Sequence, residues 1–352
     1  MMKGLSLVDL AKKIEFNKQG KKDFIADSSR LAMRAETVGG NQEFRTTLEV
    51  PQQGAFPITP LAHDQIGGRL KIPSQYYNRM LNTAPELLAT NVNAWFQLNP
   101  EKRMVRTMHG AMRSFNSNRY NRIENEEIAE VALPILYDIP DVQIVSSEIT
   151  DRRMYIQAVA PRITGEVKKG DIVQAGVVIS NSEVGCGAVS VAALDFRLIC
   201  LNGAISQDKF RAYHVGRNID DNVELWADDT RKADDRAVLL KIRDMVRSAV
   251  NEVRFRERLD RMKELAGVKV SGKLERAIEV LGNKIGTTED ERGSILRALI
   301  EGADLSAWGM LNAVTAQSHT ARSYDRAVEF EAAGGRLLEL GKNEWKEVLE
   351  AA

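Results

Sequence analysis

Three apolar segments decide the fold, and they read MYIQAVAP (residues 154–161), IVQAGVVISNSE (172–183) and AVSVAALDFRLICL (188–201). They are rich in β-branched residues, and Gly, Asn, Asp and Pro separate them at distances typical of hairpins. Two similar segments precede them, MVRTMHGAMRSF (104–115) and VQIVSSEI (142–149), and a helix is predicted between these two. The pattern predicts an α+β protein with a central, mostly antiparallel sheet that carries its flanking helices on one face.

Helical patterns surround this sheet in the sequence. Residues 59–97 predict short helices, of which the first starts at the N-cap and first-turn pair Thr59-Pro60. One strand is predicted before them, over residues 44–50, and a long charged helix follows the sheet over residues 228–265. We therefore predict a mixed helical N-terminal region (1–100), an antiparallel sheet core (101–220) and a helical C-terminal region (221–352), with the second boundary near 215–225.

The composition excludes several classes of protein. Hydrophobic residues make up 43% of the 352 and charged residues 28%, which is typical of a folded globular chain. Because 49 basic residues balance 49 acidic ones, binding to a polyanion would require a local basic patch. The sequence has no apolar run long enough for a membrane span and no signal peptide pattern, and only two cysteines, Cys186 and Cys200. We therefore expect a cytoplasmic protein without disulfides or membrane partners.

Motifs of the common enzymes are missing from the sequence. It contains no GxxxxGK[ST] phosphate loop, no GxGxxG, no HExxH and no GxSxG, and its histidines and cysteines lack metal-ligand spacing. We therefore predict a non-enzymatic protein with no cofactor and no metal. One alternative is a metal-dependent nuclease that uses Glu183 and Asp195. For Glu183 we favour an ion pair with Arg197 across the sheet.

Charge is segregated in the middle of the chain. Residues 102–122 contain six basic residues and no acidic one, whereas residues 123–151 contain eight acidic residues and no basic one. Arginines interleaved with aromatic and small polar residues suit single-stranded nucleic acid, because the cations contact phosphates while bases stack on the rings. The alternative is that these arginines pair with the neighbouring acidic helix. The predicted nucleic-acid-binding residues are Arg103, Arg106, Arg113, Arg119 and Arg122 for phosphates, Phe115 and Tyr120 for stacking, and Arg254 and Arg258 on the long helix for secondary contacts.

Several strings resemble those of a phage- and plasmid-associated family, domain of unknown function 932. They are Ser117-Asn-Arg-Tyr120, Asn181-Ser-Glu-Val-Gly185, Arg197-Leu-Ile-Cys-Leu-Asn-Gly203, the segment from Asp64 to Tyr77, and Asn312-Ala-Val-Thr315. The resemblance spans roughly residues 20–340 and implies a cytoplasmic protein of a phage, prophage or plasmid in a bacterial host. None of the strings is a catalytic motif. Within them, Asn202-Gly203 also predicts a tight turn after the preceding strand.

Two functions remain open at this point. The first is binding of single-stranded nucleic acid by a homo-oligomer, as in a single-strand annealing recombination factor. Fold-level analogy supports it, since phage annealing recombinases combine an antiparallel sheet, helices and a basic groove. The second is a self-assembling structural or host-interaction (anti-defence) protein that binds no nucleic acid. The sequence does not distinguish DNA from RNA.

Overall fold

The computed structural model describes residues 1–38, 43–212 and 228–351 and confirms the α+β class. Its strands are β1 (Lys21–Asp27), β2 (Ala32–Val38), β3 (Glu43–Val50), β4 (Gly54–Pro57), β5 (Lys102–Met108), β6 (Ala111–Ser117), β7 (Gln143–Ile149), β8 (Met154–Lys168), β9 (Asp171–Asn181), β10 (Val189–Arg197) and β11 (Asn202–Ala212). Its helices are α1 (Leu7–Gly20), α2 (Pro60–Arg69), α3 (Ser74–Thr83), α4 (Pro85–Leu98), α5 (Asn125–Asp138), α6 (Asp228–Ala249), α7 (Glu252–Gly267), α8 (Leu274–Ile285), α9 (Glu289–Glu301), α10 (Ala307–Ala316), α11 (Tyr324–Glu339) and α12 (Lys342–Leu349).

The strands form one large and two small antiparallel sheets. The large sheet has the order β11–β10–β9–β8–β7, so strands that follow each other in sequence are paired, as in a meander. The small sheets have the orders β1–β5–β6 and β2–β3–β4. A single bridge between Ile58 and Met112 joins the segment after β4 to β6. The backbone N–H of Thr59 donates to the Met112 carbonyl (3.0 Å) beside this bridge.

Helices cover both faces of the large sheet. Val177 and Ile179 of β9 pack in a cluster with apolar residues of α1, α5 and α6. Val178 points to the opposite face, where it belongs to a cluster that Val328 and Ala332 of α11 complete. Neighbouring side chains of a strand alternate between faces, so an apolar run such as this one requires burial on both sides. The predicted arrangement with helices on one face was therefore wrong.

The predicted regions are connected through shared sheets. β1 belongs to residues 1–100 but pairs along its length with β5, so the small sheet extends across residue 100. The described part of the N-terminal region contains four strands, β1–β4, where the sequence predicted only the strand over residues 44–50. The boundary predicted near 215–225 lies outside the described residues.

The long helix predicted over residues 228–265 is two helices. α6 ends at Ala249, and Asn251 caps α7 by accepting a hydrogen bond from the backbone N–H of Arg254 at its Oδ1 (3.0 Å). Ile242 and Val246 are buried on α6, whereas Val253 of the next helix is exposed. Arg254 and Arg258, the two residues predicted for secondary contacts, both lie on α7. Within the described ranges, no helix has both the length and the apolar sequence required to cross a bilayer.

A buried ion-pair cluster as the candidate functional site

The end of β9 and the loop after it, residues 181–185, bring distant parts of the chain together. The carbonyl of Val184 accepts a hydrogen bond from Gln65 Nε2 (2.6 Å), which ties α2 to the large sheet. The backbone N–H of Gly185 donates to the hydroxyl of Tyr120 (3.2 Å). Gly185 adopts a φ of +79°, a left-handed conformation that favours glycine. Three of the family-like strings thus meet at one point of the structure.

Glu183 is the centre of this meeting point, and its side chain is only 5% exposed. Its Oε1 accepts hydrogen bonds from Lys21 Nζ (2.6 Å) and the backbone N–H of Asn125 (2.7 Å), and its Oε2 accepts one from Arg113 Nη1 (2.6 Å). Burial alone would raise the pKa of the Glu183 carboxyl. Arg113 and Lys21 outweigh burial, so the pKa lies well below its usual value of 4.5. Glu183 is therefore charged at neutral pH.

Arg106 links this centre to the small sheet. The side chain of Arg106 is 1% exposed, and its Nε donates to Asp23 Oδ1 (2.8 Å) on the paired strand β1. Its Nη2 donates to Glu124, and its Nη1 donates to the backbone carbonyl of Glu183 (2.5 Å). All three guanidinium nitrogens are thus used inside the protein. The alternative in which strand arginines pair with the acidic helix is confirmed here, because Glu124 is the N-cap of α5.

Three carboxylates of the cluster lie close enough to hold a metal ion. One oxygen each of Glu124, Glu126 and Glu183 falls within 4.8 Å of the others. Lys21 Nζ lies among them, at 2.9, 2.7 and 2.6 Å respectively. The lysine ammonium therefore supplies the positive charge that a metal would supply, and these residues do not fit a metal site while Lys21 is present.

A cavity of about 140 Å³ lies beside Arg113 and Glu183. It is lined by residues from the start of α2, the β5–β6 hairpin, the β7–β8 turn and the N-terminus of α5. Its other polar lining residues are Asn17, Thr59, Asn125, Thr150, Asp151, Arg152 and Arg153. Apolar side chains, among them Met108 and Ala111, complete the wall. The lining is thus mixed, with more polar than apolar residues.

An open depression of about 430 Å³ adjoins this cavity, since Arg152 lines both. Arg322 and Arg326 also line the depression. Thr288 and Ser323, also in its wall, are the N-caps of α9 and α11, so two helix N-termini lie there. We call the cavity and the depression together the Arg152 surface; its basic residues are Arg113, Arg152, Arg153, Arg322 and Arg326.

Several of the predicted nucleic-acid-binding residues are inside the protein. Arg106, Arg113 and Phe115 are buried, and Arg103 is buried with its guanidinium 5.0 Å from the centre of the Phe115 ring. Arg258 binds Asp195 through two hydrogen bonds of 2.7 and 2.9 Å. These five residues do not form the predicted channel, because long-range acidic partners and core packing enclose them. Tyr120 and Arg119 are half-buried, Arg122 and Arg254 are exposed, and their predicted contacts stay predictions.

The structure contradicts two predictions about Glu183, namely its ion pair with Arg197 and a nuclease site shared with Asp195. Arg197 pairs with Asp171 (2.5 Å) and not with Glu183. Asp195, the second acid of the nuclease alternative, lies opposite Ala175 on β9, six residues from the end of that strand at Asn181. At about 3.3 Å per residue, the two acids are separated by roughly 20 Å along the sheet.

The sequence did not indicate Lys21, Asp23 or Gln65 as members of this site. Lys21 and Asp23 are two residues apart, so their side chains lie on the same face of β1. This spacing is only a weak indication in the sequence that the face is charged. Their partners lie up to 162 residues away in the chain. No local pattern could have identified those partners.

Comparison with known proteins identifies one match. The model of a family described as "Domain of unknown function (DUF932)" matches residues 113–334, which is more than half of the chain. The matched range begins at Arg113 and contains the loop at residues 181–185. No curated protein and no solved structure matches the chain.

Proposed function

This chain belongs to the DUF932 family, and for it we propose binding of single-stranded nucleic acid through phosphate contacts on the Arg152 surface. The main observation in support of the proposal is the position of Arg152, which lines both the cavity and the depression. Arg152 and Arg322 have side chains 53% and 75% exposed. Arg152 Nη2 lies 3.7 Å from Asp64, and Arg322 Nη2 lies 3.9 Å from Glu291, both beyond hydrogen-bond length.

Charge on this surface supports the proposal. Four acidic residues also line it, and most of them are engaged. Glu183 binds Lys21 and Arg113, Glu329 binds Arg326 (2.6 Å), and Asp325 accepts hydrogen bonds from Tyr155 and Thr150. Arg152 and Arg322 are therefore the cations that a phosphate chain could reach with the smallest loss of existing contacts.

The wider proposal is that of a non-enzymatic annealing factor from a phage or plasmid, working as a homo-oligomer in the cytoplasm. Both cysteines are free thiols, which fits a reducing compartment. The predicted residues Arg119, Arg122, Tyr120 and Arg254 remain candidates for further contacts in this proposal. Phosphate contacts need no particular base or sugar, so the proposal covers DNA and RNA alike.

Anisotropy of a labelled single-stranded oligonucleotide tests the proposal. We expect binding that weakens with salt, and an Arg152→Ala, Arg322→Ala double variant that lowers the slope of log K against log salt by about 1.4, at about 0.7 per phosphate contact. The matched control is Arg34→Ala, Arg276→Ala, which removes two exposed arginines on β2 and α8. The proposal is overturned if the natural protein does not bind at low salt, or if both double variants bind equally.

A second candidate is self-association without nucleic-acid binding, and helix α4 favours it. Leu87, Trp95 and Leu98 are exposed and fall within one narrow face of that helix at spacings of eight and three residues. Size-exclusion chromatography with light-scattering detection distinguishes the two candidate functions. An oligomer that Trp95→Glu, Leu98→Glu dissociates, together with no oligonucleotide binding, would favour this second function.

A further inference from the structure

We propose that Asp325 is a positioning residue of the Arg152 surface. Its carboxylate holds the turn between β7 and β8, and so keeps the backbone of Arg152 in the wall of the depression before a phosphate binds. The inference rests on the proposed function, because its purpose is a phosphate contact at Arg152. It gives an acidic residue an effect opposite to the one that its charge alone predicts.

The turn consists of residues 150–153, and Thr150 organises it from within. The side-chain oxygen of Thr150 accepts hydrogen bonds from the backbone N–H groups of Arg152 (3.1 Å) and Arg153 (3.0 Å). The backbone N–H of Thr150 donates to the carbonyl of Arg153 (2.8 Å). These bonds shape the turn but lie entirely within it, so its place on the protein depends on contacts with other elements.

Asp325, in the first turn of α11, makes such contacts on both sides of the turn. Its Oδ1 accepts a hydrogen bond from the Thr150 hydroxyl (3.1 Å) and another from the hydroxyl of Tyr155 (2.8 Å), which lies just after the turn on β8. The Thr150 hydroxyl also lies 3.2 Å from the carbonyl of Arg153, but a charged carboxylate is the stronger acceptor. One carboxylate oxygen thus ties α11 to the start and the end of the turn.

Two further hydrogen bonds hold the turn against the segment after β9. The side-chain hydroxyl of Ser182 donates to the carbonyl of Arg152 (2.8 Å), and Arg153 Nη2 donates to the carbonyl of Cys186 (2.5 Å). The side chain of Arg152 nevertheless stays 53% exposed. Arg152 therefore combines a fixed backbone with an accessible guanidinium, which lowers the ordering cost of a contact with phosphate.

The charge of Asp325 makes its role testable. Asp325 and Glu329 line the depression together with Arg152, Arg322 and Arg326. Through charge alone, each of the two acids repels a phosphate chain, so removal of either one would strengthen binding. Positioning predicts the reverse for Asp325, because a turn released from α11 has to be ordered again when a phosphate binds. The direction of the change in affinity thus separates positioning from charge.

Anisotropy of a labelled single-stranded oligonucleotide at low salt tests the inference. Asp325→Ala should weaken binding about three- to tenfold, the cost of ordering one such segment on binding. Asp325→Asn keeps an oxygen that can accept both hydrogen bonds and removes only the charge, so it should bind at least as tightly as the natural protein. The matched control is Glu329→Ala, which removes the partner of Arg326 (2.6 Å) from the same depression and should strengthen binding.

A double-mutant cycle shows whether Asp325 acts through Arg152. In a protein that already carries Arg152→Ala, the further change Asp325→Ala should no longer weaken binding. The inference is overturned if Asp325→Ala binds as tightly as Asp325→Asn, or if its full effect persists without Arg152. Thr150→Val removes the other partner of the hydrogen bond, and its expected weakening keeps the test decisive if Asp325→Ala does not fold.

Amide hydrogen exchange tests the hold on the turn without any ligand. The backbone amides of Arg152 and Arg153 should exchange faster in Asp325→Ala than in Asp325→Asn or the natural protein. Equal exchange in all three proteins would overturn the inference even if the oligonucleotide binds. Absence of binding by the natural protein would instead remove the proposed function, and exchange would still show whether Asp325 holds the turn.

Discussion

Lys21 Nζ lies 2.6 Å from Glu183 Oε1, although 162 residues separate the two in the chain. Lys21 is the first residue of β1 in the small sheet β1–β5–β6, and Glu183 follows β9, the central strand of the large sheet. Both side chains are nearly enclosed, so the pair joins the two sheets at a point that water barely reaches. Three further charged residues take part in this contact between the sheets. They are Arg106 and Arg113 on the small sheet and Glu124 at the start of α5.

Lys21→Met should strongly destabilise the protein. It leaves Glu124, Glu126 and Glu183 buried together with less positive charge, and removal of one partner from a buried ion pair typically costs about 3–5 kcal/mol. The free energy of unfolding, measured in urea, reports the loss. Lys12→Met is the control, because Lys12 forms an exposed pair with Asp9 at 3.8 Å and should change little. Equal effects of the two substitutions would show that the buried joint is not a source of stability.

Divalent metal should have no specific effect on the natural protein. Lys21 Nζ lies among the three carboxylates at 2.6–2.9 Å, so a metal ion would have to displace it. We expect the same melting temperature with manganese chloride and with a chelator at equal ionic strength. A saturable rise in the melting temperature with manganese alone would contradict this prediction and would favour a metal-dependent activity.

Stability should fall as the pH rises through the titration of Glu331. Burial raises the pKa of this carboxyl on α11 from 4.5 to about 7, and Gln157 Nε2 donates to it (2.8 Å). The folded state therefore keeps a proton that the unfolded chain has lost. The contribution of Glu331 to the free energy of unfolding should drop by about 3 kcal/mol between about pH 4.5 and pH 7, at about 1.4 kcal/mol per pH unit.

Glu331→Gln should remove this decline, because glutamine imitates the neutral acid at every pH. Glu301→Gln, on the exposed end of α9, should leave it in place. Urea unfolding at a series of pH values compares the three proteins. A decline that persists unchanged in Glu331→Gln would assign it to other groups.

Two helical glycines should respond to alanine with opposite signs. A Cβ on Gly335 of α11 would overlap the Ile205 carbonyl oxygen of β11, so helix and strand would have to separate. Gly335→Ala should therefore cost at least about 1–3 kcal/mol. A Cβ on Gly293 of α9 would meet no atom within 4 Å, and Gly293→Ala should add up to about 1 kcal/mol through helix propensity. Urea unfolding measures both, and the same sign for both would refute the close approach of α11 to β11.

Local signals in the sequence located many of the elements correctly. Thr59 caps α2 by accepting from the backbone N–H of Ala62, as the Thr59-Pro60 pair predicted. Thr288 and Glu291, three residues apart in sequence, likewise form a capping box at the start of α9. By contrast, the turn expected at Asn202-Gly203 lies over residues 198–201, and both residues already belong to β11. Asn202 is held there by a long-range hydrogen bond from its Nδ2 to Thr315 Oγ1 (3.0 Å), which no local pattern reveals.

The sequence by itself determined the α+β class, the caps and the apolar strands, because each depends on residues a few positions apart. Only the tertiary structure determined which charged residues are buried and which partners they bind. Arg106 and Arg113 look like surface cations in sequence, yet Asp23, Glu124 and Glu183 enclose them. A charge can be buried only where opposite charges converge on it, and chain folding, not neighbourhood in sequence, sets which charges converge.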